Sequence, residues 1–483
     1  MPFNTIDYLI FFPFVFFIYY LIDVKTRWLV LLISGYIFYG YWSFKDLLIL
    51  LTITIILYLS ARIIDKITNK KLKKLIFLST LFTVFGILIF FKIKNYIYSD
   101  TKFSFNTHLI TIDELIIPLG ISFYTFQGIS YLIDVYKNQI PVEKNIGIFS
   151  LYISFFPQLV IGPIETAKNL IPQFRKKIHF DQKMISSGIR LLGCGFFKKI
   201  VLSDSLYIFN NQVLNDPKLY HGLPFLLVSF LSNYNLFLDL SAYTDIARGS
   251  AKILGINLSE NFKRPFFASS STEFWRRFHR TLVLWFTNYV YMPLCRKFSS
   301  IWAIRLNLFI TFVGVGLWHV GDLWYIVWGG THGLLLVLEN LLSKPMASII
   351  KKLHLNKTPR LTLILKIIIT QVCLCIPVLI TQIGRSAKKL PISEFLHLSI
   401  SDFLNINAMQ TYFSIHQPVF HFLMIVLFIC ILELIHAIQV KQPVEKWFLG
   451  KSLFFRSYIY ILATISLVLF GNFQGKLFIY FIF

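Results

Sequence analysis

Residues 74–92 read KLIFLSTLFTVFGILIFFK, an apolar run of about the 20 residues an α-helix needs to cross a hydrocarbon core of roughly 30 Å. Runs of the same kind recur at 222–240, 361–384, 417–439 and 452–471. Across the whole chain 56% of the residues are hydrophobic and 14% charged, where a soluble domain carries about 25% charged. Most of this chain must therefore meet lipid or other buried helices rather than water. The run at 7–23 lacks the basic start and small-residue cleavage site of a signal peptide, so it is expected to be a retained first helix.

The formal net charge is +24, with Lys and Arg gathered in short connections: Lys66, Lys70, Lys71, Lys73 and Lys74; Arg175, Lys176 and Lys177; Lys198 and Lys199; Arg276, Arg277 and Arg280; Lys351 and Lys352. Basic loops beside apolar spans are explained by the positive-inside rule and by anionic lipid headgroups, not by nucleic acid. The rule puts the 61–74 loop and the 175–177 cluster on the cytoplasmic side. The 51 Phe and 24 Tyr crowd segment ends, where an aromatic interfacial belt needs them. Five cysteines lie in or beside apolar segments without C-x-x-C or metal-ligand spacing, so neither a disulfide framework nor a zinc site is expected.

No linker-like tract or internal period divides the chain, and a single domain over 1–483 is expected, all-α, with roughly eleven to thirteen membrane-embedded helices. Some should be broken or re-entrant. In IIPLGISFYTFQGISYLIDVYK (116–137), Pro118, Gly120 and Gly128 interrupt an apolar helix; in YISFFPQLVIGP (152–163), Pro157 and Gly162–Pro163 do the same. Broken helices at membrane depth survive only where neighbouring protein or a water-filled cavity satisfies the freed backbone groups, so a cavity is expected. The stretch 259–297 pairs arginines with Phe274, Trp275, Phe278, Trp285 and Phe286 at helical spacing, which predicts an interfacial helix dipping into the protein.

A histidine inside a membrane segment is costly enough to suggest function. His397, His416, His421 and His436 stand without polar companions in the sequence and read as structural or interfacial. His319 ends an apolar run in VGVGLWHVGDLW (313–324), among glycines that permit close packing or close approach of a ligand. Taken alone, it fits a packed residue or a reacting one. His332 in WYIVWGGTHGLL and His279 could join it only through the fold. Two convergent imidazoles could take a proton from an attacking hydroxyl and return one to a leaving thiolate, which is the chemistry of acyl transfer. His108 and Asp113 form an H-x-x-x-x-D pair, but without the accompanying motifs of acyltransferases that use it. Signatures of serine hydrolases, P-loop NTPases, zincins and dinucleotide binders are missing.

The segments PLGISFYTFQGISYLIDVY (118–136), FFPQLVIGPI (155–164), LDLSAYTDIARG (238–249), ENFKRPFFASSSTEFWRRFHRTLVLWFTNYVYMPL (260–294) and GLWHVGDLWYIVWGGTHG (316–333) resemble, in order and over nearly the whole chain, the membrane-bound O-acyltransferases. The resemblance is to the bacterial branch that holds the membrane subunit of alginate O-acetylation, its peptidoglycan-acetylating relatives and the D-alanyl transferase of teichoic acids. It implies that His319 is the catalytic histidine and that His279 is a second polar residue of the same site. His332, Trp318, Trp275, Arg276, Asn288 and Tyr289, in the same motifs, become possible auxiliary residues. The chain departs from the family pattern where Val320 rather than Gly follows the histidine, where Gly321 and Trp324 are displaced by one, and where Phe278 replaces Trp before His279.

By the same resemblance the fold is a helical bundle whose broken helices surround a central tunnel, with no bound metal or cofactor. The donor is expected to be an acyl thioester, acetyl-CoA, on the cytoplasmic side of the inner membrane. The acceptor is an envelope polysaccharide, reached through an extracytoplasmic SGNH-type acetyltransferase partner. The length favours the alginate-type subgroup; D-alanyl or lipid O-acyl transfer is the alternative within enzymes, and a transporter the alternative outside them.

Overall fold

The computed structural model describes residues 1–100, 117–216, 219, 223–319, 323–386, 419–441, 443–473 and 478. In chain order its α-helices are α1 (Ile6–Leu21), α2 (Arg27–Gly40), α3 (Phe44–Lys66), α4 (Lys70–Asp100), α5 (Ile121–Tyr136), α6 (Ile146–Ser154), α7 (Ala167–Arg175), α8 (Gln182–Phe197), α9 (Asp204–Asn215), α10 (Leu223–Ile253), α11 (Ser271–Arg277), α12 (Arg280–Phe286), α13 (Met292–Lys297), α14 (Ile301–His319), α15 (Leu323–Lys352), α16 (Pro359–Ser386), α17 (Val419–Lys441), α18 (Val444–Leu449) and α19 (Leu453–Phe470). There is no strand among the described residues. Seven described helices are long and apolar enough to cross a membrane, and α1 and α2 are shorter apolar helices. The chain is thus an all-helical, multi-pass membrane protein.

Helix starts follow side-chain chemistry. Ser43 and Ser452 accept from the backbone N–H of Asp46 and Phe455, and Asn145 Oδ1 accepts from those of Gly147 and Ile148, satisfying donors that the first turn leaves orphaned. The first helix is seated inside the bundle rather than trailing from it, with Tyr8 Oη 2.6 Å from Ser250 Oγ on α10.

The run at 222–240 lies in α10, yet α10 is unlike the lipid-facing spans. It buries Asn233, Asn235, Asp239, Ser241 and Thr244, and Lys199 Nζ, 1% exposed, sits 2.8 Å from Asp239 and 2.9 Å from Asp204. A helix with that interior is surrounded by protein, because paired, hydrogen-bonded partners are what let charges leave water.

The expected breaks are half present. Gly120 takes a left-handed conformation (φ 74°) at the start of α5, and a Cβ there would lie 2.8 Å from Leu159 O. Gly128 is no break. α5 runs through it, and its missing side chain admits Leu57 of α3. Beyond α6 the chain leaves helical geometry, and residues 155–165 are buried throughout. Their polar groups are met by protein: Gln158 Nε2 donates to Tyr152 O (3.2 Å), Tyr152 Oη donates to Glu165 O (2.9 Å), and Ile164 N donates to Thr281 Oγ1 (3.0 Å). This is the condition under which irregular backbone is tolerated at membrane depth.

The interfacial helix expected over 259–297 is instead broken into a 3-10 turn, the short α11 and a continuous helical run over 280–297. A 3-10 turn at Pro265–Phe267 precedes α11, and a π-helical turn at Thr287–Tyr291 joins α12 to α13. Between α11 and α12, His279 adopts φ 47°, ψ 46°. A left-handed residue cannot continue an α-helix, so the helical periodicity of this stretch was real only within each piece.

Candidate active site

α14 and α15 form an antiparallel pair closed by glycines. A Cβ on Gly316 would run into Tyr325 O and one on Gly329 into Phe312 O, so the backbones approach as only small residues allow. That approach carries His319, at the end of α14, onto Trp328 of α15, with ring centroids 5.1 Å apart and edge-on. One turn further along α15, Trp328 meets His332 at 4.7 Å.

α11 supplies the next member. Its N-terminus is fixed twice: Ser270 Oγ accepts from Glu273 N (3.1 Å), and Glu339 of α15 accepts from Ser271 N (2.7 Å). Partial burial would raise the Glu273 pKa, but hydrogen bonds from Ser269 and the adjacent Arg277 outweigh it and hold the carboxyl below its ordinary value. So held, Trp275 lies 4.9 Å from His332 and points its Nε1–H at His332 Nδ1, 3.4 Å away. His332 Nδ1 is then an acceptor, and the ring proton belongs on Nε2.

His279 approaches from the other side. It stacks on Phe123 of α5 (6.1 Å), and Phe123 in turn meets Trp318 edge-on (5.9 Å). Its surroundings are set by Asn261, whose Oδ1 accepts from both Thr281 N and Thr281 Oγ1 at 3.0 Å. That fixes the amide, so Asn261 Nδ2 is the group facing His279 Nδ1 at 3.4 Å. His279 Nδ1 therefore accepts and Nε2 carries the hydrogen. The Nε2 atom is buried and has no hydrogen-bond partner among the described residues, which leaves a preorganised donor available to a ligand oxygen.

His279 and His332 are 2% and 4% exposed, whereas His319 is half-buried. Lys92, His279 and His332 lie close enough to His319 to act on it electrostatically. Among the described residues no three His, Cys, Asp or Glu side chains converge as a metal site.

The fold thus gathers His319, His279, His332, Trp318 and Trp275. Trp318 stacks on Phe126 (5.6 Å) as well as contacting His319. Tyr289 donates its hydroxyl to Asp134 (3.0 Å), which ties the π-helical turn to α5. Arg276 and Asn288 are exposed, away from the three imidazoles' aromatic walls. His108, Asp113, His397, His416, Val320 and Gly321 lie outside the described residues, as does the side chain of His421. His436 corrects an expectation: it is not without polar companions, since Nδ1 lies 3.3 Å from Glu433, whose other oxygen accepts from Tyr234. Glu433 stands one turn earlier on the same helix and could have been read from the sequence. Asn261 and Lys92 were missed, and only the fold brings them to the histidines.

The sequence model of the membrane-bound O-acyltransferase family matches residues 143–384. A protein of Pseudomonas aeruginosa named "Probable alginate O-acetylase AlgI" is 32% identical over 360 residues, 73% of this chain and 66% of that protein. Its namesake in Pseudomonas putida is 32% identical over 334 residues, 67% of each chain. The peptidoglycan O-acetyltransferase of Helicobacter pylori is 31% identical over 335 residues, 64% of this chain and 63% of that protein. The chain matches about two thirds of the length of these relatives.

Proposed function

This chain belongs to the membrane-bound O-acyltransferase family, and on that premise we propose that it transfers an acetyl group from a cytoplasmic thioester, acetyl-CoA, across the cytoplasmic membrane for O-acetylation of an envelope or extracellular polysaccharide. One observation carries the reading: of three imidazoles gathered by five helices, His319 alone is only partly buried, while His279 and His332 are enclosed.

That asymmetry suits a reaction with one proton-transfer group. An acceptor hydroxyl attacks the thioester carbonyl carbon and gives its proton to His319. The new C–O bond forms, the C–S bond breaks, and His319 returns the proton to the departing thiolate sulfur. Negative charge grows on the carbonyl oxygen during attack. The Nε2–H of His279 is a donor already oriented and desolvated for such a charge, so it loses little on reorganisation. The acyl group is taken as acetyl because relatives are named for alginate and peptidoglycan O-acetylation. Teichoic acid D-alanyltransferase of Bacillus subtilis, 29% identical over 273 residues, supports D-alanyl transfer as a second reading. Release of coenzyme A thiol from acetyl-CoA, rather than turnover of a D-alanyl carrier protein, separates the two.

The three imidazoles lie among the indole rings of Trp275, Trp318 and Trp328, a setting that suits a small acyl acceptor better than a long polymer. We therefore assign the last transfer to a separate extracytoplasmic SGNH-type acetyltransferase that receives the acetyl group and passes it to the polysaccharide. His319→Ala, inserted and folded, should abolish acetyl transfer, since its loss falls on the transition state; near-normal product would overturn the assignment.

A further inference from the structure

Lys92 closes the apolar run 74–92, and a lysine there ordinarily stretches its ammonium out to the lipid headgroups. Here it turns inward. Its Nζ donates to the backbone carbonyl of His319 at 2.9 Å, from 227 positions away in the chain, and lies 5.2 Å from the centre of the Trp318 ring.

Both contacts fall on the two residues that end α14. The last carbonyls of a helix have no partner within it and carry the negative end of its dipole, so an ammonium satisfies a lone pair and complements the field at once. The Trp318 ring face offers the same cation a second attraction. Carbonyl and ring together fix the backbone from which the His319 imidazole projects, while the Trp328 contact steadies the ring itself. A half-buried ammonium in an apolar span is costly to keep.

We propose that Lys92 is a positioning residue for His319: it clamps the carboxyl end of α14 so that the imidazole is presented to the acyl group at a fixed distance and angle. The inference rests on the reading of His319 as the proton-transfer group. Misplacing a reacting group by about 1 Å costs on the order of 100-fold in rate, so the clamp should appear in turnover rather than in donor affinity.

The test uses the full chain in proteoliposomes with acetyl-CoA, measuring thiol release at equal amounts of inserted protein, for wild type, Lys92→Met, Lys92→Arg and His319→Ala. Lys92→Met should lower kcat by roughly 10- to 100-fold with KM for acetyl-CoA unchanged, and Lys92→Arg, which keeps a cationic donor, should recover most of it. In parallel, carbethoxylation of individual histidines by diethyl pyrocarbonate is followed by mass spectrometry. Lys92→Met should change the labelling rate of His319 and leave that of His354, in the turn beyond α15, as in wild type. If His319→Ala is inactive but Lys92→Met behaves as wild type in both assays, Lys92 does not position His319 and the proposal fails while the function stands. If His319→Ala remains active, the functional reading fails, and the labelling still decides whether Lys92 holds that residue. A Lys92→Met defect that Lys92→Arg shares in full, with His319 labelling unchanged, also overturns the proposal.

Discussion

Trp275 on α11 points its indole N–H at His332 Nδ1 on α15, 3.4 Å away and 57 positions distant in sequence. The contact fixes the tautomer of an imidazole that itself packs on Trp328, the wall behind His319. A short helix and a long one that share no sequence neighbourhood are thereby joined through one ring nitrogen.

Trp275→Phe keeps the aromatic packing and removes only the donor. A buried hydrogen bond contributes about 1 kcal/mol net, so turnover should fall by roughly fivefold with little change in thermal stability. Steady-state thiol release from acetyl-CoA checks this; unchanged turnover would mean that the tautomer of His332 does not matter to the reaction.

His279→Ala should lower turnover by on the order of 100- to 1000-fold, the usual effect of removing one preorganised donor. Added to His319→Ala it should cost almost nothing more, because groups serving one transition state are not additive. Independent, multiplicative losses in the double mutant would place the two histidines in separate events.

Gly316→Val should separate α14 from α15 and destabilise the protein by about 1–3 kcal/mol, the usual cost of overpacking. Gly314→Ala is the control, since the nearest atom to a Cβ there is Phe286 Cε1 at 4.0 Å. Thermal unfolding in detergent should show a lowered midpoint for the first variant and none for the second.

Reconstitution with acetyl-CoA and polymer should yield acetylated polymer only when the extracytoplasmic partner is added. The chain alone should turn over acetyl-CoA only by slow hydrolysis, releasing thiol steadily but yielding no acetylated polymer. Full polymer acetylation by this protein without the partner would refute the relay.

What the sequence revealed and what it hid divide along a physical line. Apolar runs such as 74–92 and 452–471 are local, and α4 and α19 appear where they stand. The family motifs carried His319, His279 and His332, whose rings the fold brings to one aromatic cluster. Contacts between distant segments left no local trace: Lys92 on the His319 carbonyl and Asn261 beside His279 depend on how helices far apart in sequence are packed. The stretch 259–297 misled because helical spacing persists through short pieces, while a single left-handed residue is invisible to periodicity. Gly128 misled in the opposite way, since a glycine that admits Leu57 looks in sequence like one that breaks a helix.

The backbone of His279, at φ 47° and ψ 46°, sets a filter on how this site can change over evolutionary time. A substitution there must survive two selections at once, one for chemistry and one for a left-handed corner. β-Branched side chains fail the second outright, and among non-glycine residues Asn, Asp and His are the ones that occupy that region readily. Of these, Asp at neutral pH has no hydrogen to donate, and only His and Asn can still offer an N–H to a carbonyl oxygen. Drift at position 279 therefore favours an exchange between histidine and asparagine, and His279→Asn is a step by which a descendant could retune the site without first rebuilding the turn between α11 and α12.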